Sequence, residues 1–349
     1  MLRSETRRSL PARPASERRA GALPTRAARR KYIVVLSILI VLAVGFAVGL
    51  LAWDNPMPAG SEGFWRIAQM RGTSIVVMAL VAFCQAIATV SFQTVTENRI
   101  ITPSIMGFEA LYMAVQTAGV YFFGIAGLVA LQGNAQFVLQ IVIMVGLSVL
   151  LYGWLLSGRY ANLQVMLLIG IIIGGGLGSV SAFMQRLLTP SEFDVLTAQM
   201  FGSVSNADPD QLPIAIPLAL TAGILLWSNT RRLNVLAMGK DITAGLGIHH
   251  RRELIRTLVL VSVLMAVSTA LVGPMTFLGF LVATLAYQFA DTYDHRLIFP
   301  IAVLTGFVVL AGAYFVMKNL FYAQGVVSII IELVGGTLFL IVILRKGRL

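Results

Sequence analysis

Beyond residue 31 the chain is a succession of apolar runs, each near the length of a bilayer-spanning helix and separated by short polar breaks. The runs fall at roughly 32–53, 72–93, 105–124, 134–157, 164–186, 211–228, 254–273, 274–290, 297–317 and 325–344. A helix needs about 20 apolar residues to cross the hydrocarbon, and only helices or closed barrels satisfy their backbone there. Strict two-residue alternation, the mark of a barrel strand, is absent. The pattern predicts an all-α, polytopic membrane protein with about ten spans. The seventh and eighth runs form one apolar stretch, divided where Gly273-Pro274 can separate two helices. Hydrophobic residues make up 58% of the chain and charged residues 12%, with a mean hydropathy of +0.85.

Charge placement orients the spans. With ten spans and both termini in the cytoplasm, 22 of the 26 Lys and Arg residues fall inside. Only Arg66, Arg71, Arg186 and Lys318 fall outside, the asymmetry that the positive-inside rule describes. The net charge of +11 therefore reads as orientation and contact with anionic lipid, not as nucleic-acid binding. Residues 1–31, rich in Arg, Ala, Pro and Ser, are predicted to be a disordered basic cytoplasmic tail. A cleaved secretory signal fits less well, because the apolar run that follows is a full span. Residues 32–345 read as one transmembrane domain with a cytoplasmic loop at about 229–253.

Candidate chemistry is sparse. No phosphate loop is present: Gly239-Lys240 is followed by Asp241 and lacks the upstream glycine. If transport is ATP-driven, the ATPase is another polypeptide. Gly170, Gly174 and Gly178 recur every fourth residue, with Gly175 and Gly176 between them, and read as a helix-packing face. Gly335 and Gly336 are expected to do the same in the last span. The intramembrane acids Glu109 and Glu332 are functional candidates by position. They can be structural, with Glu109 near a membrane face and Glu332 hydrogen-bonded in the bundle, or they can mark a proton or cation path, as in an ion-coupled secondary transporter. His249, His250 and His295 fall in predicted cytoplasmic loops, without the companions of a metal site. Cys84 lies alone in the second span, so neither an internal disulfide nor a cysteine metal cluster is expected. An intramembrane enzyme is a third class, but no polar cluster or catalytic set supports it.

The loop between the sixth and seventh spans says more. Residues 240–246 can form a short helix, and Gly247 can close it in a left-handed cap. Ile242, Leu246 and Ile248 are apolar residues that need cover, from lipid headgroups or from a groove on a partner.

Met238-Gly239-Lys240-Asp241-Ile242-Thr243-Ala244-Gly245-Leu246-Gly247 resembles L-G-x-x-x-A-x-x-L-G, the coupling segment of the FecCD family of type II ABC importer permeases. That family serves iron-siderophore, haem and vitamin B12 uptake. Residues 93–107, running from Gln93 through Asn98 and Pro103 to Gly107, are similar to the family's Q-x-x-x-x-N-P-L-A-x-P-x-x-L-G. Phe201-Gly202-Ser203 resembles its G-S element. Residues 273–284 resemble G-x-I-x-F-V-G-L-V-V-P-H, and Gly325 through Gly336 its last helix. The resemblance runs in order from about 32 to 345. Two departures stand out: Arg99 replaces the usual proline, and Ala283-Thr284 replaces Pro-His.

The resemblance implies a ten-span permease with an inverted repeat of spans 2–5 and 7–10, assembled as a homodimer or a close heterodimer. It implies a bacterial cytoplasmic-membrane protein that is not an enzyme and that moves a ferric siderophore, or alternatively haem or cobalamin. The implied partners are a cytoplasmic ABC ATPase dimer, which carries ATP and Mg, an extracytoplasmic siderophore-binding protein and a second permease subunit. It assigns ATPase coupling to Gly239, Asp241, Ile242, Gly245, Leu246, Gly247 and Ile248, and binding-protein docking to Arg66, Arg71 and Lys318. The seam between subunits, and with it the pathway, is expected at Gly170, Gly174, Gly178 and the last helix. No cofactor or metal on this chain is expected.

Overall fold

The structure is a computed structural model that describes residues 21–53, 56–58, 60–130, 133–157, 163–319 and 327–346. Among these residues all regular structure is helical. In chain order the helices are α1 (Arg26–Ala52), α2 (Glu62–Val95), α3 (Phe108–Ala130), α4 (Asn134–Ser157), α5 (Leu163–Gln185), α6 (Pro190–Met200), α7 (Leu212–Ser228), α8 (Thr230–Leu236), α9 (Lys240–Gly245), α10 (His250–Val272), α11 (Leu278–Ala290), α12 (His295–Asn319) and α13 (Val327–Lys346). Each of the ten apolar runs contains a helix. Among the described residues seven helices are long and apolar enough to cross a membrane by themselves. The exceptions have physical causes. Gly124, at φ 65, breaks α3. α11 has 13 residues, about 20 Å of helix. α13 is likewise short in its clearly apolar stretch, Val327–Ile341.

The tail predicted over 1–31 is corrected at its end. α1 already begins at Arg26, because Thr25 accepts the Ala28 amide at 3.0 Å and caps it. Thr292 donates to the Ala22 carbonyl, and Lys31 pairs with Asp291 at 2.9 Å. Residues 1–20 lie outside the described residues.

α2 is the axis of the bundle. It is buried continuously from Gln85 to Thr96, between α10, α12, α7 and α11. Close approach rests on small residues, as expected where the surrounding solvent is itself apolar. A Cβ on Gly306 of α12 would stand 3.3 Å from the Ala82 Cβ. Polar links join the helices: Gln85 donates to Ser268 at 3.1 Å, and Gln116 donates to Gln140 at 3.1 Å.

The two halves of the chain share one packing device. The turn before α3, a short 3-10 segment at Ser104–Met106 that ends at Gly107 with φ 102, packs on Gly170 and Gly174 of α5. The turn before α11, at Gly273–Phe277, packs through Phe277 on Gly335 of α13. One is the entry to the third apolar run meeting the fifth. The other is the entry to the eighth meeting the tenth.

Candidate functional site

Two regions depart from plain helix packing. The first lies at the end of the bundle that carries most of the basic residues. α8 ends at Leu236, Gly239 turns the chain at φ 92, and α9 follows. Gly247, at φ 76, closes α9 in a Schellman cap, where the Ile248 amide bonds the Thr243 carbonyl at 3.2 Å and the Gly247 amide bonds that of Ala244 at 3.0 Å. Thr243 is the residue of α9 that points inward. Its hydroxyl bonds the Gly239 carbonyl at 2.7 Å and lies 3.2 Å from that of Val235. An alanine here could make neither contact. Met238, Ile242 and Leu246 recur every four residues and are 56%, 47% and 60% exposed. They form an apolar stripe on a polar surface, flanked by the exposed Asp241 and Gly245; Ile248 is half-buried.

Behind the stripe, side chains tie this element to three long helices. Glu253 of α10 is buried, pairs with Arg232 and accepts from Asn229 at 3.1 Å. Asn234 of α8 donates to Asp294 at 3.0 Å, and its carbonyl oxygen accepts the His295 amide at 3.1 Å and faces the His295 Nδ1. The other ring nitrogen of His295 meets Thr94 of α2 at 2.6 Å. His295, read from sequence as a loop residue, is thus buried at the start of α12. The reason is that two polar side chains, Thr94 of α2 and Asn234 of α8, converge on its ring and amide, which no local pattern discloses. His249 is exposed and His250 half-buried. Arg99, where the family pattern has proline, stacks 4.6 Å from the centre of the Tyr287 ring and links the α2–α3 connection to α11.

Removing the carboxylate that holds Arg232 and Asn229 is expected to cost about 2 kcal/mol. Glu253→Ala should therefore melt several degrees below the parent in detergent. An unchanged melting temperature would show that the pair only decorates the surface.

The second region lies where the non-helical residues 201–203 and 273–277 meet the start of α13. The Ser203 amide bonds the Val272 carbonyl at 2.8 Å, and the Ser328 amide bonds that of Gly202 at 3.2 Å. Gly202 stands so close to the Pro274 carbonyl that any Cβ there would collide with it. Helix breaks inside a membrane bundle persist only where protein or a water-lined cavity satisfies their backbone. Glu109, in the first turn of α3, accepts from Thr276, just before α11. It is therefore pinned between two helix entries. Glu332, expected to be hydrogen-bonded within the bundle, is instead exposed on α13.

The remaining candidates separate. Gly170 and Gly174 are covered by the chain's own Met106 and Gly107, so they pack internally and offer no surface to a second subunit. Gly178 has open space beside it. Gly336 lies at van der Waals distance from the Phe277 ring. Arg66 is exposed. Arg71 donates to the Trp53 carbonyl at 2.7 Å and holds the end of α1. Lys318 sits in the last turn of α12. Among the described residues no group of three or more His, Cys, Asp or Glu could hold a metal ion.

Comparison with known proteins agrees with this architecture. The FecCD transport family matches residues 32–345. The chain is 52% identical to the petrobactin import system permease protein FatC of Bacillus anthracis over 332 residues, 95% of this chain and 94% of that protein. It is 35% identical to the petrobactin import system permease protein YclO of Bacillus subtilis (strain 168), over 88% of this chain and 98% of the relative. A solved metal-chelate type ABC transporter in an inward-facing conformation superposes with a TM-score of 0.75, at 22% identity, over 90% of this chain and 99% of the other. That last likeness shows the fold alone. The ordered motifs, the ten helical runs and a family match over nine-tenths of the sequence agree: this chain belongs to the FecCD transport family.

Proposed function

We propose that this chain is the membrane-embedded permease of an ATP-driven importer that carries a ferric siderophore of the petrobactin type into a bacterial cytoplasm. The observation that carries the reading is the exposed stripe Met238, Ile242 and Leu246, fixed to α2, α10 and α12 through Asn229, Arg232 and Asn234. The 52% identity to a petrobactin import permease supports the cargo class.

In this reading the basic end of the bundle faces the cytoplasm, and the stripe seats in a groove of one subunit of an ABC ATPase dimer. ATP and Mg are bound there, and this chain hydrolyses nothing. Residues 239–248 receive the motion of the closing ATPases and pass it to the long helices. A second permease subunit completes the path. At the opposite end an extracytoplasmic binding protein delivers the chelate. Of the three cations expected there, Arg66 is best placed to meet an acidic side chain. Lys318 is a second contact, whereas Arg71 mainly holds α1. Such charges set orientation and association rate more than affinity.

Leu246→Asp places a carboxylate in the stripe. We expect it to lose co-purification with the ATPase and to reduce uptake of iron-55 chelates at least tenfold in an iron-limited deletion strain. Normal uptake by that variant would count against docking through α9. Transport by the purified chain in vesicles without an ATPase would remove the ATP-driven reading altogether.

A further inference from the structure

A polar cavity of about 110 Å³ lies where α3, α4, α6, α7 and α10 meet. Five glutamines line it together with Tyr112: Gln116 on α3, Gln136 and Gln140 on α4, Gln199 near the end of α6 and Gln211 just before α7. Among the described residues that line it none is charged. α10 starts at the basic end with His250, Arg251 and Arg252, and the cavity borders its last turn at Ala270 and Leu271. It therefore sits at the end of the bundle opposite α9. Tyr112, Gln116, Phe137 and Gln140 are buried and form its floor, whereas Gln136, Gln199 and Gln211 are half-buried and form its rim.

The protein's own groups leave the hydrogen bonding of this cavity incomplete. Gln116 donates to the Gln140 side-chain oxygen at 3.1 Å, and the Tyr112 hydroxyl donates to the Gln199 backbone carbonyl at 3.3 Å. The Gln140 Nε2 is buried and has no acceptor, and the Gln199 Oε1 is buried and has no donor. Gln140 as a whole is only 5% exposed. Each buried polar atom left in this state costs about 1–3 kcal/mol. An orphaned donor and an orphaned acceptor on one cavity call for an occupant that both accepts and donates. A bare cation would leave the Gln140 donor orphaned, and a simple anion would leave the Gln199 acceptor orphaned. Water does both, and a polar cavity of this size has room for several molecules.

We infer that this glutamine-lined cavity is a binding site for a cluster of waters, which joins Gln140 on α4 to Gln199 on α6. The inference goes beyond the proposed import function and does not depend on it. Gly273, where α10 breaks, borders the same cavity, and a helix break within a membrane bundle draws on such water for its backbone. The end of α6 is thus held to α3 and α4 partly through solvent. With no charged side chain in the lining, the site takes neutral hydrogen-bonding groups and offers no counter-charge to an ion.

The test is X-ray radiolytic hydroxyl-radical footprinting of the full chain in detergent, in which water held beside a side chain is the source of its oxidation. Phe137 on the cavity floor is 2% exposed, and Phe92 and Phe299, neither of which borders the cavity, are 0% exposed. Phe137 should be oxidised roughly tenfold faster than either of them. Gln116→Leu combined with Gln140→Leu removes a bonded pair together, a change that is nearly neutral for folding, and leaves an apolar floor that stays dry. In that double variant the labelling of Phe137 should fall roughly fivefold or more, with the melting temperature close to that of the parent. Labelling of Phe137 no faster than that of Phe92 overturns the site, and so does undiminished labelling in a folded double variant. Should the double variant fail to fold, the comparison of Phe137 with Phe92 in the parent decides alone.

Discussion

Gly174→Leu is expected to leave almost no folded permease in the membrane, whereas Gly178→Leu, one helical turn along α5, is tolerated. The contrast follows from what each glycine meets. A Cβ on Gly174 would stand 3.0 Å from the Gly107 Cα, while nothing lies within 4 Å of one on Gly178. The obstruction at Gly174 is backbone, and that backbone cannot give way. Gly107 holds φ 102 at the end of the 3-10 turn, in a region other residues rarely adopt, and the same turn leads into the helix that carries Glu109. Overpacking against a yielding side chain costs about 1–3 kcal/mol; against a fixed turn the cost is at the upper end or beyond. Membrane abundance and detergent melting of both variants read the difference. Equal abundance of the two would show that the turn is free to move.

Asn234→Leu is expected to separate ATP hydrolysis from transport. Asn234 is the side chain of α8 that bonds Asp294 and His295 at the entry of α12, and His295 in turn reaches Thr94 on α2. Leucine has nearly the same volume, so packing survives, but the His295 amide and ring and the Asp294 carboxylate lose a shared partner. Each buried polar group left unpaired costs about 1–3 kcal/mol. We expect ATPase binding to persist, because the stripe on α9 is untouched. Chelate moved per ATP hydrolysed, measured with the reconstituted transporter, should fall tenfold or more. A proportional fall in hydrolysis and uptake would point instead to general instability.

Helix placement was legible because its signals are local. Apolar run length marks a span, Gly273-Pro274 marks a break, and Gly247 after Leu246 marks a left-handed cap, which the chain takes at φ 76. Ile242 and Leu246 were legible for the same reason, since a four-residue spacing describes one face of a helix, whereas the part of Met238, beyond the Gly239 turn, was not, and Ile248 is half-buried. What the sequence withheld is what depends on distant residues. Thr94, Asn234 and His295 are separated by up to 201 positions, and none has a neighbour in sequence that hints at its partners. The glycines of α5 look the same in a sequence whether they meet another subunit or the chain's own turn; only the fold shows Gly107 lying against Gly174. Arg71 was read by charge and side, while its guanidinium serves the end of α1.

The brevity of α11 bears on how the protein meets bilayers of different thickness. Thirteen residues reach about two-thirds of the way across a typical hydrocarbon layer. The rest of that crossing belongs to the stretch from Gly273 to Phe277, screened by Gly202, Ser203 and Gly335. Lipid therefore does not set the length of this segment. A thicker or thinner host membrane would be felt instead by the peripheral rods α1 and α4, while the interior stays in register.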